Sequence, residues 1–186
     1  MLHQRIINRL HYTIRMPFDL TKIKALAFDV DGVLTDGGLF WGSDGEELKR
    51  FSFTDIMGIS LARRAGYKLA LISGENSPLV TRYAAKMHIT DVTKGCRDKA
   101  TALRDFAQRE SLSLDEICFM GDDVNDLSAM KIAGYSAAPA NANKEVLAQV
   151  EFISKHNGGH GAVRELVDAL LAARGLDPEE TFHIKL

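Results

Sequence analysis

Apolar residues in this chain cluster in short runs that end at aspartate, serine or glycine, and longer stretches with helical spacing separate them. The short runs at 24–30, 68–72, 91–93, 117–120, 135–137 and 151–153 predict strands. Residues 56–65, 78–87, 99–110, 126–133, 143–148 and 162–173 repeat their apolar positions as helices do. Segment 23–30 (Ile-Lys-Ala-Leu-Ala-Phe-Asp-Val) is short and mostly apolar, which suits a strand buried on both faces. Strand and helix in alternation imply right-handed crossovers, hence an α/β fold with a doubly wound parallel sheet. One segment breaks the rhythm. Residues 37–53 alternate aromatic and polar side chains around Ser43-Asp44-Gly45, which predicts a β-hairpin inserted straight after the first strand. Before that strand, Leu2, Ile6, Ile7, Leu10 and Ile14 recur at helical spacing ahead of Pro17. The organisation expected is a helical extension over residues 1–20, then a single domain over 21–186 with the hairpin as a flap.

Composition narrows the partners. A chain of 186 residues is long enough to bury a core without disulfides or structural metal. A formal charge of -2, with no run of Lys and Arg, argues against nucleic acid. No continuous apolar stretch in the first twenty residues reads as an export signal or membrane anchor. The two cysteines, Cys96 and Cys118, form no CxxC or Cys/His pattern, which favours a reducing, cytoplasmic setting. Cys118 falls in a predicted buried strand and reads as a small core residue.

Candidate chemistry collects at the ends of the predicted strands. Asp29-Val30-Asp31-Gly32 closes the first one, where the ligand crevice of an open parallel sheet lies. Two carboxylates there could hold a hard cation and offer a nucleophile to a phosphate. An isolated DxDG is equally an Asx-type turn. Ser73-Gly74 follows the second strand and places a hydroxyl at its tip. Lys99 opens a helix after a glycine-containing loop; it could meet a phosphate there, or be an ordinary solvated lysine. Gly121-Asp122-Asp123-Val124-Asn125-Asp126 follows another apolar strand. Paired acids repel, so this cluster calls for a metal or a lysine. For Asp126, a cap on the following helix is preferred over direct ligation.

In this order the four positions resemble the motifs of the haloacid dehalogenase superfamily of phosphotransferases, from Ile23 onward. The resemblance implies that Asp29 is a nucleophile forming an aspartyl-phosphate, and that Asp31 is the general acid and base. It implies Mg2+ held by Asp29, the Asp31 backbone carbonyl and Asp122. Ser73, with Gly74 beside it, and Lys99 would neutralise phosphoryl oxygens, and Asp123 would orient Lys99 or a metal-bound water. Readings of other classes are a non-catalytic phosphate-binding or scaffold protein on this fold, a receiver-like module and a phosphomutase. Receivers normally lack the Asp-x-Asp pair, a dead enzyme would be expected to have lost one of Asp29, Asp31, Lys99 and Asp122, and a mutase usually needs a closing cap.

With only the hairpin inserted, a member without a separate cap domain is implied; such enzymes commonly form tetramers in which a neighbour closes the pocket. The first motif, the Phe51/Asp55/Gly58-Ile59 segment and Gly158-Gly159-His160-Gly161-Ala162-Val163-Arg164-Glu165 look like the 3-deoxy-D-manno-octulosonate 8-phosphate phosphatase family. Its relatives act on phosphorylated nonulosonate keto-acids, so the substrate implied is a phosphorylated sugar acid. Two departures keep both substrates in view. Glu75 stands where octulosonate enzymes typically carry Arg, and Thr54 stands where they tend to carry Arg. Glu75 would repel a substrate carboxylate and accept hydrogen bonds from hydroxyls. Arg82 and Lys86, a helical turn apart, could supply positive charge to a neighbour's pocket or form a solvated helix face. His160 and Arg164, on a glycine loop, are alternative carboxylate contacts, and Asp55 is a further candidate near the substrate.

Overall fold

Strand β1 (Ala25–Phe28) turns Leu26 and Phe28 to one layer of core and Ala25 and Ala27 to the other, as the period-two pleat requires. The computed structural model describes residues 18–185, so the helix expected around Leu2 to Ile14 lies outside them. After β1 come the hairpin strands β2 (Phe40–Trp41) and β3 (Glu47–Leu48), helix α1 (Phe53–Arg64), β4 (Lys68–Ile72) and α2 (Pro78–Met87). The chain continues through β5 (Asp91–Thr93), α3 (Lys99–Arg109), β6 (Ile117–Met120), α4 (Leu127–Met130) and β7 (Tyr135–Ala138). It closes with α5 (Lys144–Leu147), β8 (Phe152–Ile153), α6 (Ala162–Ala173) and α7 (Pro178–Phe182).

Six strands pair in parallel in the order β5-β4-β1-β6-β7-β8. Residues of α1, α2 and α6 cover one face of the sheet, and residues of α3, α4 and α5 cover the other. This is the doubly wound arrangement expected, with β1 at its centre. Phe28 lies opposite Leu71 on one side and Met120 on the other, so the three strands end within one residue of one another. The backbone N–H of Asp29 still donates to the Met120 carbonyl at 2.9 Å, after which the chain leaves the sheet. That departure makes β1 shorter than the apolar run 24–30.

Other boundaries shift for local reasons. Helix α1 begins at Phe53, ahead of the expected Ile56, because the Ser52 hydroxyl caps it by accepting from the Thr54 N–H. The helix expected over 126–133 divides into a 3-10 turn, Val124–Asp126, and the short α4. Helix α7 was not expected; Asp177 starts it by accepting from the N–H groups of Glu179 and Glu180. The flap forms as a hairpin closed at its base by a Thr35–Phe51 bridge, although its paired strands are short. No other insertion follows β1, and so the described residues contain no separate cap domain. No helix among them is long and apolar enough to cross a membrane.

Glycine does its work where the late loop meets the first one. A Cβ on Gly158 would sit 1.7 Å from the Gly32 carbonyl oxygen, and the Gly159 N–H donates to the Val33 carbonyl at 2.9 Å. Gly32 itself has φ +85, and a Cβ there would meet Asp122 Oδ2 at 2.0 Å. Hence the glycine loop before α6 is the floor of the segment that follows β1.

Candidate active site

The adjacent ends of β1, β4 and β6 bring Asp29, Ser73 and Asp122 together, Asp29 and Asp122 lining one opening and Ser73 fully buried. Lys99, the first residue of α3, is only 1% exposed and brings its ammonium to Asp29. Its Nζ lies 2.9 Å from Asp29 Oδ1 and 2.6 Å from Asp126 Oδ1. A buried ammonium survives when it is paired on this scale. Asp126 is itself buried, and its Oδ2 accepts from the backbone N–H groups of Asp122 and Asp123 at 2.9 and 3.2 Å. The side chain makes no capping bond to α4. This corrects the expectation of a cap on the following helix: Asp126 turns backward, ordering the acidic loop and anchoring Lys99.

Of the two roles expected for Asp123, the orienting of Lys99 falls to other residues. Its carboxylate accepts from the Val124 N–H at 2.7 Å, and Lys99 is held by Asp29 and Asp126 instead. The Ser73 hydroxyl oxygen accepts from the Glu75 N–H at 3.1 Å, which leaves its own O–H to donate. Asp29, Asp31, Gly74, Glu75, Asp122 and Asp123 line a polar cleft of about 330 Å³, together with Asn125.

Oxygens of Asp29, Asp122 and Asp126 lie within 4.8 Å of one another, a spacing suited to a cation. Both oxygens of Asp126 are already engaged, so Asp29 and Asp122 are the side chains with oxygen free for a metal. The electrostatics agree. Burial, reinforced by repulsion from Asp126, pushes the Asp29 carboxyl up to about 7, with Lys99 pulling the other way. Burial and then the neighbouring carboxylates of Asp29, Asp126 and Asp123 push Asp122 up to about 7. Burial opposes the Lys99 charge, yet Asp29 and Asp126 outweigh it and raise its pKa above the ordinary lysine value. Three close carboxylates share one ammonium, and a divalent cation would relieve the excess.

The outer candidates scatter. Asp55 is fully buried, its two oxygens accepting from the N–H groups of Gly161 at 3.0 Å and Arg164 at 3.1 Å. It joins α1 to the start of α6, with both oxygens spent away from the cleft. Arg164 grips Asp168 from the same helix at 2.8 Å, and it borders a hollow with Met57, Leu61 and Phe182. His160 uses Nδ1 on the Gly158 carbonyl, and its Nε2 lies 3.3 Å from the Arg50 guanidinium. Neither lines the carboxylate cleft. Thr54 is exposed on the first turn of α1. Arg82 and Lys86 are exposed on α2, and Arg82 borders a larger hollow of about 650 Å³ between that helix and the flap tip. The smaller cleft is lined by the paired acids, one of them held by the buried lysine, and is therefore the chemical centre.

Lys49, near the end of the flap, carries no motif, yet its ammonium lies 2.7 Å from Asp31 Oδ1. Sequence reasoning missed it because a lysine in the string Glu46-Glu47-Leu48-Lys49-Arg50 looks like solvated hairpin. The only available signal was its place just before the strand base at Phe51.

The family model of haloacid dehalogenase-like hydrolases matches residues 44–166, from the flap into α6, and the chain belongs to that family. Asp29 and Asp31 precede the matched segment, and their place in the site rests on the geometry above. Within the family the chain is similar to the 3-deoxy-D-manno-octulosonate 8-phosphate phosphatases. It is 36% identical over 153 residues to the KdsC enzyme of Escherichia coli K12, covering 82% of this chain and 81% of that one. The Haemophilus influenzae KdsC is 36% identical over 156 residues, covering 84% and 87%. Among solved structures, the 3-deoxy-D-manno-octulosonate 8-phosphate phosphatase of Moraxella catarrhalis, in complex with magnesium, phosphate and KDO, superposes with a TM-score of 0.81. It is 35% identical, covering 83% of this chain and 89% of that one. The Yersinia pestis phosphatase gives a TM-score of 0.82 at 32% identity, covering 84% and 85%.

Proposed function

We propose that this chain is a Mg2+-dependent phosphatase that hydrolyses a sugar-acid phosphate monoester of the 3-deoxy-D-manno-octulosonate 8-phosphate type. The observation that carries the reading is Asp29 at the end of the central strand, paired with buried Lys99 and facing Asp122. Asp29 attacks phosphorus while the bond to the leaving alcohol breaks, and Asp31 supplies the proton that alcohol needs. Asp31 then takes a proton from the water that attacks the aspartyl-phosphate, releasing inorganic phosphate and restoring Asp29. Two donors of the Lys99 ammonium are engaged by Asp29 and Asp126; its third, with the Ser73 hydroxyl, serves the phosphoryl oxygens. Asp29, Asp122 and the Asp31 main chain would hold Mg2+, which when bound offsets the repulsion between these acids and a dianionic substrate.

The KdsC relatives and the KDO-bound Moraxella structure support the octulosonate substrate. Glu75 favours a second reading, a 2-keto-3-deoxynonulosonate 9-phosphate. Its carboxylate is exposed on the wall of the cleft, where it accepts hydroxyls and repels a substrate carboxylate. Either keto-acid product would feed surface polysaccharide synthesis. The reading includes a cytoplasmic homo-oligomer, a tetramer by resemblance, supported by two free cysteines and by exposed Phe40, Trp41 and Leu48 on the flap.

Phosphate release from the two sugar acids tests the reading. The expected result is Mg2+-dependent turnover of at least one of them, abolished in Asp29→Asn with the fold retained. Near-normal rates in that variant would overturn the mechanism. Glu75→Arg should shift the kcat/KM ratio toward octulosonate 8-phosphate, and an unchanged ratio removes Glu75 as a selector.

A further inference from the structure

Across residues 39–50 every residue is exposed except Lys49, whose side chain keeps 5% of its accessibility. Burying a long, flexible cation beneath an otherwise solvated hairpin costs side-chain entropy and hydration, so its partner matters. That partner is Asp31, at 2.7 Å through Oδ1, while Asp31 Oδ2 is buried with no hydrogen-bond partner. The chain is fastened just beyond Lys49. Arg50 donates to the Gly159 carbonyl at 2.9 Å, and Phe51 bridges Thr35 and stacks on Tyr83 with ring centroids 4.4 Å apart. The base of the flap thus aims Lys49 at the acid on the wall of the cleft.

We propose that Lys49 is a positioning residue for the phosphatase reaction: by holding Asp31 Oδ1, it fixes the orientation of the carboxyl group that protonates the leaving alcohol. This rests on the reading of Asp31 as the proton donor. With Oδ1 held by the lysine, the transferable proton of the carboxyl group is presented from one fixed position. It passes to the leaving oxygen as the phosphorus–oxygen bond breaks and the Asp29–phosphorus bond forms. Without Lys49 the carboxyl group is free to rotate, and a departing alkoxide finds no donor in place.

Single-turnover release of the leaving group, with Mg2+ present, separates this role from a structural one. Octulosonate 8-phosphate loses an alcohol that needs a proton, whereas p-nitrophenyl phosphate loses a phenolate that does not. Lys49→Met is expected to slow alcohol release by at least about tenfold while slowing nitrophenolate release less than about threefold. Lys49→Arg should restore most of the alcohol rate. Equal slowing of both substrates, or a rise in KM alone, would overturn the proposal. Asp31→Asn is the control: it should show the same leaving-group dependence more strongly. If it does not, the reading of Asp31 fails and the proposal with it; if it does while Lys49→Met is indifferent, the proposal alone fails.

Discussion

An ammonium 2.9 Å away ordinarily keeps a carboxylate ionised, yet Asp29 titrates near 7 because burial and Asp126 outweigh Lys99. Asp122 titrates in the same range from burial and its acidic neighbours. For both groups the folded pKa lies above the ordinary aspartate value of 3.8, so the metal-free native state holds more protons than the unfolded chain between that value and about 7. Their contribution to stability is therefore present at low pH and lost as pH rises toward 7. A divalent cation competes with those protons and replaces them as the counter-charge. The rise in Tm on adding excess Mg2+ to chelator-treated protein should be larger at pH 8 than at pH 5.5. Equal rises at both pH values would show that the two acids do not share the metal site.

Helix α6 is preceded by Gly161, a residue with no side chain to cap it, and the N–H groups of Gly161 and Arg164 turn instead to Asp55 on α1. The two helices are thereby joined by a charge-assisted capping bond on one face of the sheet. Asp55→Ala should lower unfolding stability by about 1–3 kcal/mol in urea, the cost of lost caps and orphaned buried donors. An unchanged midpoint would mean that water or another group replaces it. This pair also shows why only some of the molecule was legible in its sequence. Strands 68–72, 91–93 and 117–120 and helices 78–87 and 162–173 announced their bounds through local periodicity and flanking turn residues. Asp29, Ser73 and Asp122 could be found because each closes or follows an apolar run. Asp55 pairs with an N–H 106 positions away, and Lys99 with an aspartate 27 positions away. Spacing carries no trace of such partners until the fold brings them together.

At the scale of the whole molecule, the flap is the feature that the rest of the surface does not account for. Trp41 is 73% exposed, with Leu39, Phe40 and Leu48 beside it in the hairpin, more apolar surface than so small an element usually leaves in water. Light scattering should find an oligomer for the intact protein and smaller species for Trp41→Glu. A monomer in both would remove the flap as a contact between copies. The fold also settles in what order the site can be completed. The loop that carries Asp29 leaves the ribosome early, whereas the glycines against its underside arrive only with residues 158 and 159. Until they do, the Gly32 carbonyl has no floor and the acids above it no fixed spacing. Synthesis therefore displays Asp29 long before its surroundings are fixed, and on the proposed function a half-made chain would hydrolyse no phosphate ester.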